Sequence, residues 1–217
     1  MNNVPFTLSQ VRPIRDAMTV SRPSGLGYGV PVTWFSLGAG TSITPEYYDC
    51  TTLYLGGEGN GKFLLGIDGQ EVSVKPGEVL YVPPKTLCGT KTDSGMIYTE
   101  IILKKEHFTM NNIIKAGQPT ELKNLISYEE GSIANLDIAH ADNMKFVLMA
   151  FDEGTGLTPH RAPGNAILTA LEGKAIIGYE GKDYELNAGE SFRFDKNGLH
   201  SVTAQGKFKM SLLLVIE

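Results

Sequence analysis

The sequence contains one long segment twice. GTSITPEYYDCTTLYLGGEG, residues 40–59, aligns with GTGLTPHRAPGNAILTALEG, residues 154–173. After two extra residues in the first copy, residues 62–88 align with residues 174–200, and a Gly-Glu pair recurs at the same place in both. A repeat of this length exceeds the roughly 20 to 50 residues of a solenoid unit. The sequence therefore predicts two copies of one domain.

Each copy is a series of short strands separated by turns. In the second copy the strand segments are KFVLMAFD, AILTAL, KAIIGYEG, KDYELN, ESFRFD, HSVTA and FKMSLLLVI. The 25 glycines and 11 prolines are spread along the chain, which is typical of an all-β protein with many turns. We predict a first barrel at residues 1–104, a linker at 105–127 and a second barrel at 128–217. Pro119 and Thr120 predict one short helix inside the linker.

The composition argues against several classes of partner. The net charge is -5 and no run of lysines or arginines occurs, so we expect no nucleic-acid surface. The longest apolar stretch, LLLVI, is far shorter than the roughly 20 residues of a membrane span. Cys50 and Cys88 are too few for a disulfide framework, and MNNVPFTLSQ has no signal-peptide pattern. We expect a cytoplasmic protein with reduced thiols and a small-molecule ligand.

Two segments of the second copy resemble the motifs of the cupin superfamily of small β-barrels. They are HRAPGNA, residues 160–166, and GESFRFDKNGLH, residues 189–200. The whole chain resembles a two-barrel member, a bicupin of the cupin-2 conserved-barrel type. The resemblance implies two tandem jelly-roll barrels of the double-stranded β-helix kind. It also implies a homodimer, although two barrels in one chain can make the same contact within the molecule.

The resemblance also implies a metal site with half of its usual ligands. In the family, two histidines and a carboxylate or glutamine of the first motif, with a histidine of the second, hold a divalent metal. His160 matches the first histidine and His200 matches the histidine of the second motif. Ala162 stands at the second histidine's place, and the carboxylate's place falls at or near Ala166, beside Asn165. The metal implied is a divalent transition metal: iron, manganese, nickel, copper or zinc.

The chemistry of imidazole leaves three roles open for His160 and His200. They can bind a metal together with water or substrate. They can form a neutral pair that hydrogen-bonds a ligand, or each other, inside an apolar barrel. They can also act as general acid and base, because histidine titrates near neutral pH. Strand alternation places small side chains on the face of His160, which predicts a cavity. The pocket residues expected around the pair are Ala162, Asn165, Ala166, Phe194 and Met210.

The first copy carries different residues at the same places. Glu46 replaces His160, and Cys88 replaces His200, with Cys50 nearby. A glutamate and a thiolate can bind a soft or borderline metal. The simpler interpretation is a degenerate, packed site, because a free cysteine usually behaves as a small buried hydrophobe.

Three other basic residues are weaker candidates. Arg161 neighbours His160 and should therefore point outward, toward a surface or dimer contact. His107 lies in the polar linker, and His140 precedes an Asp-Asn turn, so we expect both to be solvated.

Two functions are consistent with this sequence, because one fold supports many chemistries. The first is a metal-dependent enzyme of the oxygenase or isomerase type, acting on a small sugar or phenolic compound in the second barrel. The second is a non-catalytic ligand-binding or sensor module without a metal. A metal with open positions favours the enzyme, and an apolar cavity with two neutral imidazoles favours the binding module.

Overall fold

The computed structural model describes residues 3–27, 29–104 and 108–216, which form two compact units. With those same gaps, the first unit comprises Leu8–Phe108 and Asn112–Glu121, and the second comprises Met1–Thr7, Thr109–Asn111 and Leu122–Glu217. Both units are built almost entirely of antiparallel strands. The all-β prediction is therefore confirmed.

The first unit is a barrel of two antiparallel sheets, preceded by the short helix α1 (Leu8–Val11). Strands are numbered along the whole chain. Those of the first unit are β1 (Thr19–Pro23), β2 (Val32–Leu37), β3 (Thr41–Glu46), β4 (Thr51–Gly59), β5 (Lys62–Leu65), β6 (Gln70–Ser73), β7 (Glu78–Val82), β8 (Cys88–Thr92), β9 (Met96–Leu103) and β11 (Thr120–Glu121). One sheet has the order β1-β2-β9-β4-β7-β11, and the other has the order β3-β8-β5-β6.

The second unit repeats this plan. Its strands are β10 (Phe108–Met110), β12 (Ile133–Ala141), β13 (Met144–Phe151), β14 (Gly156–Arg161), β15 (Asn165–Glu172), β16 (Lys174–Tyr179), β17 (Lys182–Asn187), β18 (Ser191–Phe194), β19 (Leu199–Ala204) and β20 (Phe208–Val215). One sheet has the order β10-β12-β13-β20-β15-β18, and the other has the order β14-β19-β16-β17. Strand for strand, β1 to β9 correspond to β12 to β20, so the sequence repeat is a repeat of structure.

The repeated Glu-Gly turn explains part of the sequence match. Gly59 and Gly173 both have a φ of +75°. A Cβ atom at either position would collide with a backbone carbonyl, that of Gly95 or that of Lys207. Both turns therefore require glycine.

Side chains of both sheets meet in the interior of each barrel. In the second barrel the core contains four phenylalanines with at most 1% exposure, Phe151, Phe192, Phe194 and Phe208. In the first barrel the corresponding cluster includes Tyr54, Phe63 and Tyr98. The rings of the second core are thus mostly phenylalanines, with Tyr179 among them, whereas two of these three rings in the first core carry phenol hydroxyls.

The linker helix is a single 3-10 turn, Leu122–Asn124. The ammonium group of Lys209, a buried residue of β20, donates a hydrogen bond of 2.8 Å to the Lys123 carbonyl. This contact satisfies a carbonyl that a short helix leaves unpaired. The predicted short linker helix is confirmed. None of the helices formed by the described residues is long and apolar enough to cross a membrane.

Candidate functional site

A β-bulge positions His160 at the end of β14, an edge strand of its sheet. The register between β14 and β19 shifts between Leu157 and His160. Pro159 lies inside this irregular stretch, and proline is tolerated at edges and bulges because it has no N–H to donate. After the bulge, His160 lies directly opposite His200 on β19. Bulges re-aim side chains in this way next to many binding sites.

The two imidazoles form a close pair at the boundary between solvent and core. Their ring centroids are 4.3 Å apart and their planes make an angle of 56°. His160 is exposed, whereas His200 is only 6% exposed. A ligand arriving from solvent therefore reaches His160 first and His200 behind it.

Backbone contacts fix the same tautomer in both rings. Nδ1 of His160 lies 2.8 Å from the Thr158 carbonyl oxygen, and Nδ1 of His200 lies 2.9 Å from the Gly198 carbonyl oxygen. A carbonyl only accepts, so each Nδ1 carries the hydrogen and donates it. In a neutral imidazole the other nitrogen, Nε2, then presents a lone pair. Within the part of the chain that the structure describes, neither Nε2 has a hydrogen-bond partner.

The surroundings of His200 favour its neutral form. Its ring stacks on Phe194, with centroids 4.1 Å apart and planes at 17°. Burial lowers the pKa of His200; the bond to the Gly198 carbonyl opposes this effect, and the neighbouring His160 adds to it. His200 is therefore a hydrogen-bond acceptor at neutral pH.

An aromatic wall extends from the histidine pair into the core. Tyr179 on β16 lies opposite His200, and its ring centroid is 5.9 Å from that of Phe194. Gly198 leaves room for this tyrosine, because a Cβ there would press against its ring. The sequence analysis did not select Tyr179. The available signal was its alternation with the buried residues Ala175 and Ile177 on the same strand.

The five predicted pocket residues divide into two groups. Ala166, Phe194 and Met210 are each 1% exposed and belong to the core cluster of the second barrel. The other two are engaged with the turn between β18 and β19. The Ala162 carbonyl accepts a hydrogen bond of 2.9 Å from the Asn197 amide, and the Asn165 Oδ1 accepts one of 3.0 Å from the Lys196 amide.

The residues present do not fit a three-ligand metal centre. Throughout residues 3–27, 29–104 and 108–216, no three His, Cys, Asp or Glu side chains converge where they could hold a metal ion. The pair offers two imidazole nitrogens, and Ala162 and Ala166 have no side-chain donor atoms. Catalytic zinc sites usually have three protein ligands. Two ligands fall short of that pattern.

The other three basic candidates, Arg161, His140 and His107, do not join the histidine pair among the described residues. The guanidinium of the exposed Arg161 hydrogen-bonds the Asn197 carbonyl and lies 3.5 Å from the Glu180 carboxylate. His140 is exposed on β12, opposite Lys145. His107 lies outside the described residues.

The first barrel carries the same bulge with different side chains. Here the register between β3 and β8 shifts between Ile43 and Glu46, and Glu46 lies opposite Cys88. The thiol of Cys88 is half-buried, and burial raises its pKa to about 11. Cys50 is also half-buried, and both thiols are free.

Behind Cys88 lie two polar residues that the sequence analysis missed. Tyr54 on β4 lies opposite Glu100 on β9, and both are buried. The Tyr54 phenol lies close enough to the Glu100 carboxyl and to the Cys88 thiol to lower the pKa of each, against the larger effect of burial, which raises both. Glu100 lies in MIYTEIIL, which reads as a continuous apolar strand. The available signal was that Glu100 alternates with Tyr98 on one face of that strand.

Comparison with known proteins agrees with this architecture. The profile of the cupin domain family matches residues 147–216. The structure of the Cupin 2 conserved barrel domain protein from Leptotrichia buccalis is similar over 97% of this chain and 95% of that one, with 24% identity and a TM-score of 0.82. Residues 147–216 thus match the cupin domain family, and the chain as a whole shares the fold of a Cupin 2 conserved barrel domain protein.

A second group of similar structures is enzymatic. The structure of salicylate 1,2-dioxygenase from Pseudoaminobacter salicylatoxidans, determined as adducts with gentisate, is similar over 98% of this chain and 81% of its own. The identity is 13% and the TM-score is 0.67. This likeness shows a shared fold. No curated protein matches the sequence.

Proposed function

We propose that this protein binds a small phenolic compound at the His160–His200 pair of the second barrel. The observation that carries the proposal is the pair of Nε2 lone pairs beside an aromatic wall. A phenol O–H donates to a neutral imidazole nitrogen, and the ligand's ring packs favourably beside the imidazoles, which Phe194 backs from the core. A small sugar is less well matched, because its many hydroxyls need more polar partners than this wall supplies.

The two histidines differ in what they contribute. Buried and neutral, His200 accepts the phenolic hydrogen bond and can take the proton itself. His160 is exposed and offers its Nε2 to the ligand from the solvent side. Together they support binding without a metal, and they supply a general base if the bound compound reacts.

The structural relatives support the choice of ligand class. Gentisate, bound in the dioxygenase structure, is a phenolic acid. At 13% identity this is support from the fold, so gentisate enters as one probe among several. A cytoplasmic location and a homodimer belong to the same proposal, and light scattering of the purified protein tests the second.

A metal-dependent enzyme of the oxygenase or isomerase type is the second candidate. The free Nε2 atoms favour it, because a neutral imidazole nitrogen is the commonest metal ligand among side chains. The ligand count disfavours it, since the chain supplies two nitrogens where three ligands are usual.

Calorimetric titration with catechol, gentisate and glucose tests the proposal. We expect catechol or gentisate to bind, and His160→Ala and His200→Ala each to weaken binding at least tenfold, as for the loss of a hydrogen bond worth about 1.4 kcal/mol. His140→Ala is the matched control and should bind normally. Failure of both phenols to bind, or normal binding by both pair variants, would contradict the proposal.

Elemental analysis of untagged protein separates the two candidates. A metal-binding pair gives about one transition metal per chain, lost in His160→Ala, and this result would replace the metal-free proposal by the second candidate. Metal-free protein that binds a phenol supports the first.

A further inference from the structure

The inward face of the first barrel is polar at the level where that of the second is apolar. Tyr54 lies opposite Glu100 between β4 and β9, and the equivalent strands β15 and β20 pair Leu168 with Leu212. The two leucines of the second barrel are thus replaced in the first barrel by a tyrosine and a glutamate, which carry a phenol and a carboxyl. Packing does not require this exchange, because the apolar pair fills the same position.

The polar groups lie close together. The Tyr54 phenol, opposite Glu100 across the strand pair, is near both the Glu100 carboxyl and the Cys88 thiol. Its ring contacts that of Tyr98 edge-on, with centroids 5.8 Å apart. Phe35 stacks on Tyr98 at 4.9 Å. The residue opposite Glu100 is therefore part of a group of packed aromatic rings.

A buried hydroxyl in this cluster has no partner. Thr90 lies two residues after Cys88 on the same face of β8 and is 3% exposed. Burial raises the pKa of the Tyr98 phenol, and the nearby Thr90 Oγ1 opposes this effect; the Oγ1 is itself buried without a hydrogen-bond partner. Buried polar groups are nearly always hydrogen-bonded, so an unpaired one calls for a missing group.

The cluster reaches solvent on one side and is acidic. Glu46 is exposed there, and Tyr48 and Cys88 are half-buried. Burial raises the pKa of Glu100 to about 7; the nearby Tyr54 phenol opposes this, and the charge of Glu46 adds to it. The groups facing Glu100 are thus the three phenols of Tyr48, Tyr54 and Tyr98, the Cys88 thiol and a second carboxyl, with no cation among the described residues that perturb it.

We propose that the cluster of Tyr54, Cys88, Thr90, Tyr98 and Glu100 binds a small organic cation, a protonated amine. An ammonium group supplies the positive charge that the two carboxyls lack, and its N–H groups donate to the Glu100 carboxylate and the Thr90 hydroxyl. The ring of Tyr54 adds cation–π attraction. Anionic ligands are disfavoured by the same charges.

Binding of a cation is linked to ionisation of Glu100. The carboxyl is about half protonated near pH 7, and the ammonium group favours its charged form. Affinity therefore rises as pH increases through about 7, and binding below that value releases a proton. A neutral hydroxylated ligand shows neither effect.

Calorimetry with benzylamine, in buffers of different ionisation enthalpy between about pH 6 and pH 8, tests this site. We expect benzylamine to bind more tightly than benzyl alcohol or benzoate, with proton release at the lower pH. Glu100→Gln should weaken binding roughly tenfold to a hundredfold, as for the loss of a charged hydrogen-bond partner. Glu71→Gln, which removes an exposed carboxylate of the same barrel, should bind normally.

Further variants keep the result unambiguous. Tyr54→Phe retains the ring and should weaken binding even if Glu100→Gln fails to fold. His160→Ala should leave benzylamine binding unchanged. The amine-binding proposal and the phenol-binding proposal can therefore be refuted separately. Absence of benzylamine binding, equal or tighter binding of benzyl alcohol or benzoate, or unchanged affinity in both Glu100→Gln and Tyr54→Phe overturns the proposal.

Discussion

The two barrels share one scaffold and differ in what that scaffold presents. In each barrel, a bulge in an edge strand places one side chain opposite a residue near the start of the neighbouring strand. Glu46 lies opposite Cys88, and His160 lies opposite His200. Behind these pairs lie Tyr54 and Glu100 in one barrel and two leucines in the other. The backbone therefore fixes where a site can form, and a few inward side chains decide its chemistry.

Opposite pH dependences follow from this difference. Glu100 has a raised pKa in the folded protein, so the folded state holds its proton more tightly than the unfolded state. His200 has a lowered pKa, so the folded state holds its proton less tightly. Raising the pH thus destabilises the protein through Glu100 and stabilises it through His200.

The largest expected effect comes from Phe194, which stacks on His200. Phe194→Ala should lower the free energy of unfolding by about 3 to 5 kcal/mol, since it empties a fully buried site. Val82→Ala, at the equivalent position of the first barrel, removes fewer atoms and should cost less. Urea denaturation measures both. Equal losses would contradict the claim that Phe194 anchors the second site.

Replacing Glu100 by glutamine should remove an acid-favoured contribution to stability. In the wild type the free energy of unfolding should fall by roughly 3 kcal/mol as pH rises from about 4.5, the ordinary pKa of a glutamate, to well above 7. Glu100→Gln should lack this fall, whereas Glu71→Gln should retain it. Denaturation at several pH values is the measurement, and parallel curves for wild type and Glu100→Gln would refute the assignment.

A smaller effect of opposite sign is expected from His200. Its folded-state pKa lies below the unfolded value of 6.5, so its contribution to stability is lost as pH falls through that value. His200→Gln should unfold with a weaker dependence on pH below 6.5 than the wild type, and His140→Gln serves as control. Thermal melts across this pH range measure the effect. If stability depends on pH as steeply in His200→Gln as in the wild type, the imidazole of His200 is not buried and neutral.

The last prediction concerns the reactivity of Cys88, and we expect no effect on stability. Burial raises the pKa of this thiol from 9.0 to about 11, so its thiolate fraction at pH 8 is about a hundredfold lower than that of an ordinary thiol. In a Cys50→Ser background, alkylation by iodoacetamide should be slower by about that factor. Mass spectrometry follows the reaction, and rapid labelling would show that Cys88 is not the buried partner of Tyr54.

Much of the fold could be predicted from the sequence because turn residues repeat. The matched Glu-Gly turns, the strand segments of the second copy and the linker helix all correspond to observed elements. The bulge left a signal as well, since Thr-Pro recurs inside β3 and β14. A proline within a strand indicates an edge or a bulge.

The chemistry of the two sites was less accessible. A motif assigns His160 and His200 to one site. The burial of His200, which stacks on Phe194, and the exposure of His160 depend on packing that the motif does not encode. Asn165 resembles a ligand by position, yet its amide oxygen accepts from the Lys196 amide. Glu100 lies in an apolar strand, and only pairing with Tyr54 reveals its role. Such features depend on contacts between strands distant in sequence.

The most direct test of the phenol site is a nitrogen NMR measurement on the histidine rings. We predict that at about pH 7 His200 is neutral, that Nδ1 carries a hydrogen in both His160 and His200, and that catechol shifts the Nε2 resonances of both rings but not that of His140. A charged His200 ring, an Nδ1 without hydrogen in either ring, or Nε2 resonances unmoved by saturating catechol would contradict the account.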